Sequence, residues 1–211
     1  MLVDILCRAA GPRPVVSDPN LVLDCAALCN AADAIGAALC ARGVAPGDRV
    51  ASVIPDGVAF LAAFAGTAAA RAAFIPLPSD DEAAGEALER LSPRIVLTTE
   101  IAPQRIRVAG SSLGIPLATI AFDGQGVVLV DGEYIYESND RIPEDDDVVF
   151  MPPGDGPVTV AALVGAVLTG KPGSNPASPL SDPRGLVGAL AVLASGEGLV
   201  LAPRVPAGVV P

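Results

Sequence analysis

Residues 49–98 read RVASVIPDGVAFLAAFAGTAAARAAFIPLPSDDEAAGEALERLSPRIVLT. Three short apolar runs, 49–54, 73–77 and 94–98, alternate with two longer segments of helical character, 58–70 and 79–91. Strand, helix, strand, helix, strand is the pattern of a parallel sheet, because parallel neighbours need a crossover connection and not a tight turn. Asp56 is a candidate N-cap for the first helix. The second starts at a capping serine, Ser79, carries acids in its first turn and ends near Arg90, which suits the helix dipole. The strands are apolar almost throughout, as strands covered on both faces are. The expected fold class is therefore α/β, with a mostly parallel sheet and flanking crossover helices.

Upstream, residues 21–43 (LVLDCAALCNAADAIGAALCARG) place Leu28, Ala32, Ile35 and Leu39 on one helical face, with Gly43 as the stop. A Pro-Gly turn then leads into the strand at 49. Downstream, residues 100–147 read as a small β-rich insertion, with strand-like pieces at 117–122, 127–130 and 133–136 and Asp131-Gly132 in the favoured hairpin pair. The acid run 144–147 reads as a solvated linker. Strands near 148 and 199 are expected to extend the parallel sheet. Residues 1–147 would then form one α/β subdomain, and 148–211 the start of a second.

Composition bounds the function. Of 211 residues, 51% are hydrophobic but only 3% aromatic, so alanine, valine and leucine must fill the core. Net charge is −11, and the 13 basic residues are scattered singly along the chain, which argues against nucleic acid as a partner. There is no histidine, which removes Ser-His-Asp and Cys-His nucleophiles, histidine metal sites and the usual near-neutral proton shuttle. Of the four cysteines, Cys7, Cys25, Cys29 and Cys40, the last three could share a helix face and hold a metal, but reduced thiols acting as small hydrophobes are the expectation. Residues 58–77 carry Arg71, 158–170 are too short, and 185–203 contain Glu197 and four glycines, so no membrane span of about twenty residues is expected. Asp4 spoils the N-terminus as an organelle presequence. An intracellular, cytoplasmic chain is expected, with an organelle left open.

Residues 28–99 carry a resemblance in register: a helix ending ARGVAPGDRV, a strand, a helix around FLAAF, then AFIPL, an acidic helix and RIVLT. This order resembles the opening of an AMP-forming acyl- or aryl-CoA synthetase, of the adenylate-forming family that includes luciferase and peptide-synthetase adenylation domains. Residues 147–150 resemble the strand that leads into that family's phosphate loop. GLVGALAVLASGEGLVLAPR, residues 185–204, resembles its next helix and strand. The resemblance implies the N-terminal subdomain of such a synthetase, cut short at Pro211. The family's adenine-binding segment, magnesium-binding Thr-Glu pair, ribose-binding aspartate and catalytic lysine domain then have no counterparts here.

In that family the loop runs roughly Thr-Ser-Gly-Thr-Thr-Gly-x-Pro-Lys, with turned-in N–H groups, hydroxyls and a lysine around phosphate oxygens. The matching stretch here lies within FMPPGDGPVTV, residues 150–160. Gly154, Asp155 and Gly156 occupy the phosphate-loop position in degenerate form. Pro152, Pro153 and Pro157 have no N–H to donate, the hydroxyl pair is missing, and Asp155 sets a negative charge against a triphosphate. A hydrogen bond to a charged oxygen is worth about 1.5–3 kcal/mol, so losing several removes most of the affinity such a loop supplies. A turn of this composition also needs no ligand to form. No catalytic residue or metal ligand can be carried over.

Three functions are compatible with these features. The first is a non-catalytic synthetase-like protein acting as a structural or interaction subunit, with no cofactor. The second is part of a split or fragmentary ATP-dependent acid–CoA ligase, which alone would use ATP and magnesium. The third is an unrelated binding module for an acyl group or nucleotide. A sheet that ends early exposes an edge and an apolar face, so a protein partner or self-association is expected.

Overall fold

The computed structural model describes residues 14–78, 81–99, 102–152, 156–169 and 178–201. In chain order the elements are β1 (Pro14–Ser17), β2 (Val22–Asp24), α1 (Cys25–Ala41), β3 (Arg49–Ser52), α2 (Val58–Ala69), β4 (Ala73–Pro76), α3 (Asp81–Leu91), β5 (Ile95–Thr98), α4 (Gln104–Leu113), β6 (Leu117–Phe122), β7 (Val128–Val130), β8 (Glu133–Tyr134), β9 (Val148–Phe150), β10 (Val158–Thr159), α5 (Val160–Thr169), α6 (Pro183–Ala194) and β11 (Leu199–Val200). The main sheet has the order β10-β9-β4-β3-β5-β6-β7-β8. Its five central strands, β9, β4, β3, β5 and β6, are mutually parallel. Antiparallel strands close both ends.

The strand period of two divides the core between the two faces. Val50, Phe74, Ile95, Leu97 and Phe150 point towards α1 and α2, while Ala51 and Val96 point towards Ala84 and Leu88 of α3 and Ile106 of α4. The scarce aromatics are concentrated on the first face: Phe60, Phe64, Phe74 and Phe150 form one cluster of edge-to-face and stacked rings, with centroids 5.0–6.4 Å apart. Helix α2 is buried on every side, which its all-round apolar sequence requires. It crosses α1 at a glycine contact. A Cβ on Gly66 would lie 2.6 Å from the Ile35 side chain and 2.9 Å from the Ala32 carbonyl oxygen.

Several sequence expectations change. Residues 22–24 are strand and not helix, because Leu23 pairs with Val16 of β1 and Asp24 then caps α1 by accepting from the Ala27 N–H at 2.7 Å. β11 does not extend the main sheet. It pairs in parallel with β1 in a separate three-stranded sheet, β11-β1-β2, where the Leu201 N–H donates to the Ser17 carbonyl. Strand β9 does join the main sheet, beside β4. The β-rich segment opens on a helix, α4, and its strand β6 continues the parallel sheet from β5. Asp131 and Gly132 form the expected hairpin turn, with φ of 54° and 80° as a type I′ turn needs.

Cys29 is disulfide-bonded, which departs from the expectation of reduced thiols. The Cys25 thiol is buried, and burial together with Asp24 pushes its pKa up. Ser79 lies outside the described residues. Among the described residues no helix is long and apolar enough to cross a membrane, and no group of three or more cysteine, aspartate or glutamate side chains is placed to hold a metal ion.

Candidate functional site

In a parallel α/β sheet, ligands collect at the carboxyl ends of the strands, where neighbouring strands send the chain to opposite faces. Here β3 leads to α2 on one face and its neighbour β5 leads to α4 on the other. The turn after β9 opens at the same edge. Met151 is held there by its N–H on the Phe74 carbonyl at 2.9 Å; Pro152 is buried and Gly156 and Pro157 are exposed. Gly154 and Asp155 lie outside the described residues.

The turn does not lead directly into helix α5. Val158 and Thr159 first form β10, which runs back antiparallel along β9, Val158 opposite Phe150 and Thr159 opposite Val148. Helix α5 therefore starts beside the beginning of β9 and not at its end. Three residues of strand separate the two points by about 10 Å. The leading N–H groups of α5 are taken by the chain itself: Val160 donates to the Asp147 carbonyl at 2.9 Å, Ala161 to the Asp145 carbonyl at 3.0 Å, and Ala162 to Thr159 Oγ1 at 3.3 Å. The donors and dipole that make a helix N-terminus an anion site are thus satisfied internally and set away from the turn.

The acid run has a structural task. Asp147 accepts two hydrogen bonds from Arg71, from Nε at 2.8 Å and Nη2 at 3.0 Å, and a third from the Glu144 N–H at 2.8 Å. Arg71 Nη1 also reaches Glu144 at 2.6 Å. Burial alone would push the Asp147 carboxyl up, but Arg71 and the Glu144 N–H outweigh it and hold the group below the ordinary carboxylate range. The same carboxylates push the Arg71 pKa up. Asp147 is only 12% exposed, so this part of the run is an anchor and not a solvated linker.

Beyond the carboxyl end of β3, two of the chain's own acids are likewise engaged in holding the fold. The N-terminus of α2 is capped not by Asp56 but by Asp18, whose Oδ2 accepts from the Val58 N–H at 2.8 Å. Asp18 Oδ1 meanwhile accepts from Asn20 and Leu21 at 2.8 and 2.9 Å, folding the β1–β2 turn around the same carboxylate. Gly57 permits the approach, since a Cβ there would sit 2.8 Å from Asp18 Oδ2. Asp56 instead accepts from the Leu180 N–H at 3.1 Å, tying the segment before α6 to the sheet edge. Sequence reasoning misses Asp18. Its Ser-Asp-Pro-Asn context signals an Asx turn but says nothing of a helix forty residues on.

A family model described as AMP-binding enzyme matches residues 7–160. No curated protein matches the sequence. Among solved structures the chain is similar to apo MatB from Rhodopseudomonas palustris, with TM-score 0.75 and 18% identity over 94% of this chain and 44% of that one. Coronafacic acid ligase from Pectobacterium brasiliense gives TM-score 0.76 and 14% identity over 95% and 45%. VinN in complex with L-aspartate gives 0.69 and 21% over 96% and 57%. The chain thus spans about half the length of the solved relatives, and at these identities the likeness establishes a common fold with part of each of them. With the family model covering most of the sequence, the chain belongs to the AMP-binding enzyme family.

Proposed function

We propose that this chain is a non-catalytic member of its family that acts as a structural or interaction subunit of a larger assembly. One observation carries the first half of the proposal: the leading N–H groups of α5 are spent on Asp147, Asp145 and Thr159, at the opposite end of β9 from the turn. The turn itself holds prolines where N–H donors are needed and Asp155 where a phosphate would be repelled. On this reading Gly154, Asp155 and Gly156 are not ligands of ATP.

Exposed apolar surface supports the second half. Helix α5 turns Ala161, Ala162 and Leu168 to solvent, Leu168 at 71% exposure, and Val200 on the edge strand β11 is 64% exposed. Such surface favours burial against another polypeptide. Isothermal titration with ATP and magnesium, and separately with a nonhydrolysable acyl-adenylate mimic, tests the proposal. No binding of the mimic is expected. Micromolar binding of it would refute the non-catalytic reading and favour part of an ATP-dependent acid–CoA ligase completed by another polypeptide.

A further inference from the structure

At the opposite edge of the main sheet, where β3, β5 and β6 begin, lies an open groove of about 790 Å³. The loops that precede these strands build it, residues 47–49, 92–94 and 113–116, together with Arg42 from the end of α1. In a chain of net charge −11, three of the 13 basic residues, Arg42, Arg49 and Arg94, converge on this one cavity. They come from distant parts of the sequence, which is why the basic residues look scattered along the chain.

The three are not equally committed. Arg42 is engaged, by Nη2 with Asp131 at 2.6 Å and by Nη1 with the Ala38 carbonyl at 3.1 Å. Arg49 uses one nitrogen, Nη1, on the Leu91 carbonyl at the end of α3, at 2.8 Å, and keeps its other donors. Among the described residues the Arg94 guanidinium has no hydrogen-bond or ion-pair partner. Capping of helix carbonyls therefore accounts for Arg42 and for part of Arg49, but not for Arg94. The acid within the groove, Asp48, is already turned to the Ala45 N–H at 2.8 Å. Apolar wall is supplied by Leu113, 45% exposed, and Pro116.

We infer that this groove binds a small organic phosphate, its anionic head on Arg94 and Arg49 and its apolar body against Leu113 and Pro116. Guanidinium groups pair bidentately with phosphate oxygens, and the volume is within the range of small-molecule sites, roughly 300–1,000 Å³. The site is independent of the carboxyl ends of the strands, from which the length of the parallel sheet separates it.

The probe is phenyl phosphate, titrated calorimetrically in low-salt, magnesium-free buffer against the wild-type chain and the variants Arg94→Gln, Arg49→Gln and Arg105→Gln. Arg105 is exposed in the first turn of α4, at the other edge, and serves as the control. Saturable one-to-one binding is expected, weakened about tenfold or more in R94Q and R49Q and unchanged in R105Q. Absence of saturable binding, or equal loss in all three variants, would overturn the inference. An ATP signal that disappears in R94Q belongs to this groove and supports it, leaving the non-catalytic proposal standing. Because Arg94 has no partner to lose among the described residues, R94Q should keep the wild-type thermal midpoint.

Discussion

Replacing Gly66 by alanine tests the packing that holds the two-helix layer on the sheet. In isolation the substitution favours folding, since alanine in a helix interior is better than glycine by about 1 kcal/mol. In place, the new methyl would lie 2.6 Å from the Ile35 side chain and 2.9 Å from the Ala32 carbonyl oxygen, against ordinary contacts of roughly 3.4–4 Å. Ile35 is buried among α1 and α2 neighbours and cannot swing aside, and a backbone oxygen cannot move without its helix. Overpacking of this kind costs about 1–3 kcal/mol, so after the helix gain the net expectation is a loss of up to about 2 kcal/mol. Gly85, in α3, has nothing within 4 Å of a Cβ, so the same substitution there should stabilise by about 0.5–1 kcal/mol. Urea unfolding of both variants gives the comparison, read as midpoint shifts at unchanged slope. If Gly66→Ala raises the midpoint as Gly85→Ala does, the close α1–α2 contact is wrong.

Two further substitutions probe the acids that tie distant segments together. Asp18→Ala removes the cap on α2 and the fold of the β1–β2 turn at once, and should lower stability by about 1–2 kcal/mol by the same urea assay; an unchanged midpoint would contradict the capping role. Asp147→Asn probes a carboxyl held below its unfolded value, so its stabilisation is present above about pH 4 and fades as pH falls through the lower folded value. The variant should be less stable than wild type at pH 7, with the gap closing below about pH 4. A gap that stays constant down to pH 2 would show that the Arg71 pair does not respond to this titration.

Local physics decides which elements can be read from the chain. The unit from β3 to β5 is legible because its strands are buried on both faces and its helices long enough to show their character. The Asp131-Gly132 turn is legible because few residue pairs adopt two positive φ angles. Helix α4 is not: its ten residues QRIRVAGSSL bury only Ile106 and Gly110 and have no side-chain cap to mark where the helix starts. The small sheet is invisible for another reason. Val16 meets Leu199 across nearly the whole chain, and strands of two to four residues carry no pattern of their own.

The candidate site divides in the same way. Its composition is written locally, in the prolines and the aspartate of residues 152–158, and can be weighed from the sequence alone. Its geometry depends on Val158 and Thr159, two residues that read equally well as the first turn of an apolar helix. By pairing with Phe150 and Val148 they reverse the chain and carry the start of α5 back to Asp145 and Asp147. Asp147 can receive it because Arg71, with φ of 62° at the end of the α2 connection, already grips its carboxylate and leaves the backbone carbonyl free for Val160. The arginine that interrupts the apolar run at 58–77, and so argues against a membrane span, therefore also anchors the segment that fixes where the helix N-terminus lies.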